Sequence, residues 1–422
     1  MSERLRILVV PKWYPWPEQP VLGAFCREHA RALATRHDVV VMPTLATPSP
    51  PFRSFAIDDA VEEGLRTVRV RYRRPFARPA ALGFQTAGLL TALGRLRRAG
   101  WVPDVVHAHV YQAGLPALAL GRRAHAPVVV TEHYTGFQRG LVTGYERLLA
   151  RTALQRADLV APVSEDLAGH LRALAPGARM RVLPNTVDTA VFHPAATVAD
   201  RGGAAEDAPG EASGEKRPHG GRNSPQATTR AGDTAPRPPR LLTVGSLAEK
   251  KGQRYAVDAL ALLDTGETAG ATLDIVGGGP LQGPLAEQAA RLGLGDRVRL
   301  RGELPKEEIA ELMRASDAFV LPSTDETFGC VLIEALACGL PVVATAVGGV
   351  PEVVRDGEGT LVPPRDAAAL AEGIATALAD AGDGRRGEIA RAVAGRYGYG
   401  PFADGWTEVY DELLAARAGR RR

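Results

Sequence analysis

Residues 318–352 leave this chain little freedom in how it folds. An apolar run from Ala318 to Leu321 stops at Pro322, and a polar turn from Ser323 to Asp325 follows. Thr327 stands where an N-cap belongs, ahead of a helix reaching about Ala337. Gly339 suits the C′ position that closes the helix, and Pro341 forbids its continuation. A second apolar run, Pro341 to Thr345, completes a βαβ unit whose loop lies at the carboxyl end of the first strand.

Such a loop is a ready anion site. The first amides of the helix have no partner within it, and the helix dipole favours negative charge there. Gly329 keeps side-chain bulk away from a phosphate. Glu326 stands at the mouth of the loop and Glu334 lies within the helix. Carboxylates repel phosphate but accept hydrogen bonds from hydroxyls, which points to sugar and ribose. A phosphate site flanked by hydroxyl acceptors suits a nucleotide sugar.

The rest of the chain repeats the same local pattern. Leu5 to Val10 reads as a buried strand, followed by a rigid loop containing Trp13 and Trp16, then Gly23 and a helix from Ala24 to Thr35. Strands follow at 37–42, 67–72, 104–109, 127–131 and 157–163. His109 and His133 fall at or just beyond strand ends, where a doubly wound sheet presents residues to its crevice. Leu241 to Gly245 opens a second strand–helix series. The expectation is an α/β chain of two Rossmann-like, doubly wound domains facing across a cleft. Residues 1–194 form the first domain and 240–398 the second. A last helix, within 399–422, crosses back to the first domain. Residues 195–239 hold almost no large apolar side chain and read as a disordered linker.

Length and composition agree with this. A chain of 422 residues has room for two or three domains, and 45% hydrophobic content can fill their cores. The net charge of +3 makes no case for nucleic acid. Cys26, Cys330 and Cys338 show neither metal-ligand spacing nor a disulfide framework, which favours a reducing, cytoplasmic setting. No signal-peptide core and no apolar run of about 18 residues is present. Arginines 66, 69, 71, 73, 74 and 78, with 95, 97 and 98, form a basic stretch. It reads as a solvated face or as a peripheral contact with an anionic membrane.

Beyond these patterns, Glu326, Thr327-Phe328-Gly329, Glu334-Ala335, Ala337-Cys-Gly-x-Pro-Val-Val-Ala-Thr345 and Gly348-Gly-Val-Pro-Glu352 resemble the Glu-x7-Glu motif of the retaining glycosyltransferases of family 4 (group 1), which have the GT-B fold. The resemblance is close over the second domain and loose over the first. It implies that Lys251 binds the donor diphosphate and that Glu326 orients the donor sugar. Glu334 would hold the ribose, with the amides of Thr327, Phe328 and Gly329 on the diphosphate. His133 would be the active-site histidine, and the Gly23 loop would close over the donor–acceptor junction. It further places Gly245 and Gly278 in loops beside the nucleotide and Arg301 beneath the base.

Two departures stand out. Ser246 occupies the position where the family commonly has a second diphosphate-binding arginine, and Thr186 replaces a glycine in a Pro-Asn-x-Val-Asp segment. No Asp-x-Asp pair occurs, so no metal or other cofactor is expected beyond the nucleotide-diphosphate sugar itself. Gly277-Gly-Gly-Pro280 is not Gly-x-Gly-x-x-Gly, because Gln282 fills the last slot, and a dehydrogenase loses support. The expected activity is glycosyl transfer with retention to an acceptor hydroxyl, in cell-envelope, polysaccharide, glycolipid or metabolite synthesis. The acceptor is left open among lipid-linked, polysaccharide and small-molecule types. A nucleotide-sugar epimerase of the same architecture and a non-catalytic sugar-nucleotide binder are the alternatives.

Overall fold

The computed structural model describes residues 4–47, 55–73, 78–195, 237–263, 266–380 and 383–419. Nearly all of the expected linker, 196–236, lies outside them, as do Arg74 and the side chain of Arg78.

The first unit runs β1 (Arg6–Pro11), α1 (Ala24–Ala34), β2 (Asp38–Val41), β3 (Thr44–Thr47), β4 (Phe55–Glu62), β5 (Leu65–Arg73), α2 (Arg78–Arg98), β6 (Val105–His109), α3 (Tyr111–Ala124), β7 (Val128–Glu132), α4 (Gly144–Arg156), β8 (Leu159–Pro162) and α5 (Glu165–Leu174). The second runs β9 (Arg240–Val244), α6 (Gln253–Leu262), β10 (Thr272–Val276), α7 (Gln282–Arg291), β11 (Val298–Gly302), α8 (Lys306–Ala315), β12 (Ala318–Leu321), α9 (Cys330–Ala337), β13 (Val342–Thr345), α10 (Val350–Val353), β14 (Gly359–Val362) and α11 (Ala367–Ala379), then α12 (Asp383–Tyr397) and α13 (Tyr399–Gly419).

The first sheet has the order β3-β5-β2-β1-β6-β7-β8 and the second β11-β10-β9-β12-β13-β14. Both are parallel along these paths, apart from β4, which pairs antiparallel with β5. Their strands are near-continuous runs of buried Val, Ile and Leu because helices cover both faces. In each sheet the order reverses once, between β1 and β6 and between β9 and β12. Ligands bind outside the carboxyl ends of strands at such a reversal. The loops after β1, β9 and β12 hold Gly23, Lys251 and Glu326, and His133 follows β7 beside them.

Two local expectations change. The central helix starts at Cys330, and its N-cap is Gly329 in a left-handed conformation (φ 83°), not Thr327. Thr327 turns its hydroxyl to the opposite domain instead, as described below. The antiparallel strand β4 was not expected from the sequence. It explains the basic stretch: Arg66, Arg69 and Arg71 pair with Asp59, Glu62 and Asp58 of β4. Much of the charge read as a membrane-facing patch is neutralised within one hairpin.

Residue 186 needs no glycine. The Thr186 hydroxyl donates to the Tyr397 carbonyl at 2.7 Å, and the Val187 amide donates to the same carbonyl at 2.9 Å. That carbonyl lies where α12 gives way to α13. From there α13 crosses onto the first sheet, packing Phe402, Trp406, Val409, Tyr410 and Leu413 against Ile7, Val9 and Leu33. Trp406 and Tyr410 are among the largest fully buried side chains of the molecule. Trp406→Ala is expected to lower unfolding stability by about 3–5 kcal/mol, the range for truncating a buried tryptophan or phenylalanine. Denaturant titration followed by circular dichroism measures this; a loss below about 1 kcal/mol would mean that α13 is not held to the first domain.

Candidate active site

On the second domain the site is built by two loops locked together. After β9 the chain passes Gly245 and Ser246 into a single 3-10 turn, Glu249–Lys251, ended by Gly252 (φ 63°). A Cβ at Gly252 would lie 2.0 Å from the Pro322 carbonyl oxygen, so no other residue allows the two loops to meet this closely. The Thr324 amide donates to the Lys250 carbonyl at 2.8 Å and joins them further. This contact aims Lys251 Nζ at Glu326 Oε2, 2.6 Å away, with both side chains largely buried. Glu326 is held from behind as well, since its carbonyl accepts from the Gly349 amide and lies against Gly348, where a Cβ would come within 1.8 Å.

The first domain supplies the facing wall. His133 follows β7, and its Nε2 stands 3.1 Å from Nδ1 of His109. His109 is fully buried, so it backs His133 rather than lining the crevice as expected. His29 and His107 complete a cluster of four imidazoles around them. Burial holds all four well below the ordinary histidine range, His29 to about 4. They are therefore neutral near pH 7, and His133 can offer or accept a hydrogen bond without placing a charge beside the sugar.

Glu132 is a site residue the sequence reading did not assign. It is fully buried and has no cation beside it. Its Oε1 accepts from the amides of His133 and Tyr134, both at 2.9 Å, and its Oε2 from the amide of Tyr111 at 2.8 Å. One carboxylate thus ties the loop carrying His133 to the first turn of α3. Loss of water around it pushes its pKa up to about 7 despite these three donors. Next to that turn, Val110 has φ 72° with ψ 138°, a strained backbone for a β-branched residue. The one available sequence signal was a glutamate inside a strand otherwise made of valine and threonine.

The walls meet. Thr327 Oγ1 donates to the His133 carbonyl at 3.1 Å, Gln138 Nε2 to the Glu326 carbonyl at 3.3 Å, and Lys250 Nζ to Thr135 Oγ1 at 3.1 Å. Farther out, Glu352 accepts from the amides of Glu165 and Asp166 at 2.7 and 2.9 Å, at the first turn of α5. The structure is thus a closed-cleft form.

The remaining expected residues lie around this centre. Gly23 (φ 69°) is pressed onto Trp13, whose carbonyl carbon and oxygen would each be 2.3 Å from an added Cβ. Gly278 packs on Glu303, and Gly245 lies against the stem of Lys251. Ser246 is exposed at the loop edge. Phe328 packs its ring into the core against Tyr397, leaving only its backbone for a ligand. Arg301 Nε is held by Asp274 at 2.6 Å. Glu334 does not reach the Lys251–Glu326 pair. It lies in an interior where loss of water, and after it the charge of Glu28, push its pKa up to about 8, with Lys306 opposing. Lys306 in turn bonds Asp188 at 2.9 Å and approaches Glu28 at 3.6 Å.

Two α/β units with a reversal-point cleft between them, and a lysine–glutamate pair facing a histidine, define a GT-B glycosyltransferase. The family comparisons agree. The model described as glycosyl transferases group 1 matches residues 227–397, and that described as glycosyltransferase family 4 matches 22–191. A glycogen synthase of Mycobacterium tuberculosis is 30% identical over 99% of this chain and 96% of its own length. A 2-deoxystreptamine N-acetyl-D-glucosaminyltransferase of Streptomyces fradiae is 34% identical over 74% and 72%. A D-inositol 3-phosphate glycosyltransferase of Xylanimonas cellulosilytica is 30% identical over 94% and 93%. This chain belongs to the group 1, family 4 glycosyltransferases. Among solved structures, Anabaena HepE in complex with UDP and glucose matches with a TM-score of 0.70 at 20% identity, covering 97% of this chain and all of that one. A sucrose-phosphate synthase of Thermosynechococcus elongatus matches with 0.67 at 23%, covering 98% of this chain and all of that one. At these identities the two structures speak for the fold.

The titrating groups set the pH at which the molecule is most stable. His29, His37, His107, His109 and His133 all have lowered pKa values, so the unfolded chain takes up protons first and stability falls as pH drops below about 6.5. Glu132 and Glu334 are raised, so their contribution is full below about 4.3 and is lost as pH rises through about 7 and about 8. Five imidazoles outweigh two carboxyls on the acid side, and between about pH 6.5 and 8, below the ordinary range of the shifted thiols, lysines and tyrosines, the carboxyls act. The thermal midpoint should therefore peak near pH 6.5 in a scan at constant ionic strength. A midpoint still climbing at pH 8.5 would contradict the buried state of the two glutamates.

Proposed function

We propose that this chain transfers a glycosyl unit from a nucleotide-diphosphate sugar to an acceptor hydroxyl with retention of configuration. The observation that carries the reading is the Lys251–Glu326 pair, placed under the loop bearing His133 by contacts from both domains. The printed subjects of the relatives, glycogen synthase and two further glycosyltransferases, support it, as does the UDP and glucose bound to HepE.

In this reading Lys251 leaves Glu326 when the donor enters and turns to the diphosphate. Charge grows on that phosphate as the glycosidic bond breaks, and a preorganised cation in a water-poor site acts most strongly on developing charge. The backbone from Thr327 to Gly329 adds amide donors. Glu326, freed of its lysine, accepts from a hydroxyl of the donor sugar, while neutral His133 meets the sugar from the other wall. Glu334 accepts from the ribose, and its raised pKa favours a protonated carboxyl until the nucleotide binds. The acceptor enters from the first domain near Trp13 and Tyr134, and cleft closure keeps water from taking its place. Retention follows when attack comes from the leaving-group face and the donor phosphate receives the acceptor proton. The absence of an Asp-x-Asp pair in the sequence supports chemistry without a bridging metal.

The acceptor class is a polysaccharide, a lipid-linked precursor or a small metabolite. Among the described residues no helix is long and apolar enough to cross a membrane. A peripheral contact on the cytoplasmic face would fall to Arg95, Arg97 and Arg98 on α2, since Arg66, Arg69 and Arg71 of β5 are paired with β4. Sedimentation with anionic vesicles tests this, and binding insensitive to salt or absent removes it.

Lys251→Ala should lower kcat/KM at least about 100-fold, as expected for loss of a preorganised donor to developing charge. Glu334→Gln should act mainly on the KM for the donor. Near-normal turnover by Lys251→Ala in a coupled nucleotide-release assay would overturn the assignment. The anomeric proton of the product, read by NMR, reports retention or inversion directly.

A further inference from the structure

Behind the facing wall lies a group of side chains of which glycosyl transfer uses only His133. Cys26 and His29 are three residues apart on α1 and so share one face of the helix. His109 ends β6 and His133 follows β7. One ligand atom from each of Cys26, His109 and His133 lies within 4.8 Å of the other two. The His29 ring is 5.2 Å from the rings of both His109 and His133. All four residues are at least nine-tenths buried.

Their hydrogen bonding is incomplete. Nδ1 of His29, Nε2 of His109 and Nδ1 of His133 are buried without a partner. Buried polar atoms are nearly always paired, and a group of unpaired ones asks for a water or an ion that completes them. Water would suit the nitrogens but is a poor match for a thiol. A zinc-class ion suits both, since it takes thiolate sulfur at about 2.3 Å and imidazole nitrogen at about 2.0–2.1 Å. Ligand atoms in such a site are about 3.5 Å apart, so the present group needs to contract only modestly.

We propose that Cys26, His109 and His133 form a binding site for a soft divalent ion such as zinc, with His29, its Nε2 bonded to Asn185, packed beside it, and that an ion bound there switches transfer off. The ion is an inhibitor and takes no part in the glycosyl chemistry. As it binds, Sγ of Cys26 bonds the metal and the thiol proton passes to solvent. The imidazole of His133 is then committed to the ion and is withdrawn from the sugar. Access is from the cleft, through the ring of His133, so a bound donor and a bound ion exclude one another. The inhibitory consequence rests on the proposed role of His133; the site itself does not.

The test uses the full chain, freed of metal by dialysis against a chelator. Cobalt(II) titration should reach one ion per chain with a thiolate-to-cobalt charge-transfer band, and the band should be absent in Cys26→Ser. Zinc should depress transfer, and EDTA should restore it. Cys26→Ser should keep the metal-free activity and need about 10-fold or more zinc for the same depression, the scale on which one ligand change moves metal affinity. Absence of the band in the intact chain overturns the site, whatever the variant does. An unchanged zinc response in Cys26→Ser overturns the inhibition through it. If no transfer is found under any condition, the reading of function fails, while the cobalt band still decides the site.

Discussion

The pairing of Lys251 with Glu326 is the constraint around which the cleft is assembled. A lysine and a glutamate this deeply covered need each other as hydrogen-bond partners, because little water reaches either. The pair also settles which loops must touch. Gly252 sits on the Pro322 carbonyl and Gly348 on that of Glu326, so two loops far apart in the chain become one rigid shelf. Under the proposed function, an incoming diphosphate then finds a cation already in position. The energy of ordering it was spent in folding.

The opposite wall is held by a different device. Glu132 gathers three amides from two elements without a counter-charge, and four uncharged imidazoles pack behind it. The Glu132 part of this network is held in place because breaking it would leave a buried carboxylate and three amides unpaired. The strained backbone at Val110 fits this view, since strain persists only where its surroundings over-determine it. The two walls join through Thr327, Gln138 and Lys250, and farther out through Glu352 at the start of α5. Each of these bonds is single and replaceable by water, as a cleft that must open requires.

Much of this was legible beforehand. Apolar runs broken by Gly and Pro placed most of the parallel strands, and the strand ends placed His133 and the Lys251 loop. The antiparallel strand β4 was missed because Asp58, Asp59 and Glu62 interrupt the apolar pattern of a strand, whereas its acids meet Arg71, Arg66 and Arg69. Thr327 was read as a helix cap because the local pattern allowed it. The tertiary contact with the His133 carbonyl won, and Gly329 took the cap. His109 was read as lining the crevice, because period-two patterns tell which residues end a strand but not how many layers cover them.

The sequence by itself determined the two α/β units, the βαβ unit with its anion-ready loop, and, through its resemblance to the family, the lysine and two glutamates proposed to bear the chemistry. These are local properties, set by residues close together in the chain. Only the tertiary structure decided that Lys251 finds Glu326 and that Glu132 ties the His133 loop to the first turn of α3. It also decided that Cys26 and His29 on α1 arrive beside His109 and His133. Lys251 and Glu326 are 75 residues apart, Cys26 and His29 lie far from His109 and His133 in the chain, and their meeting depends on the order of strands in a sheet, which no local pattern encodes.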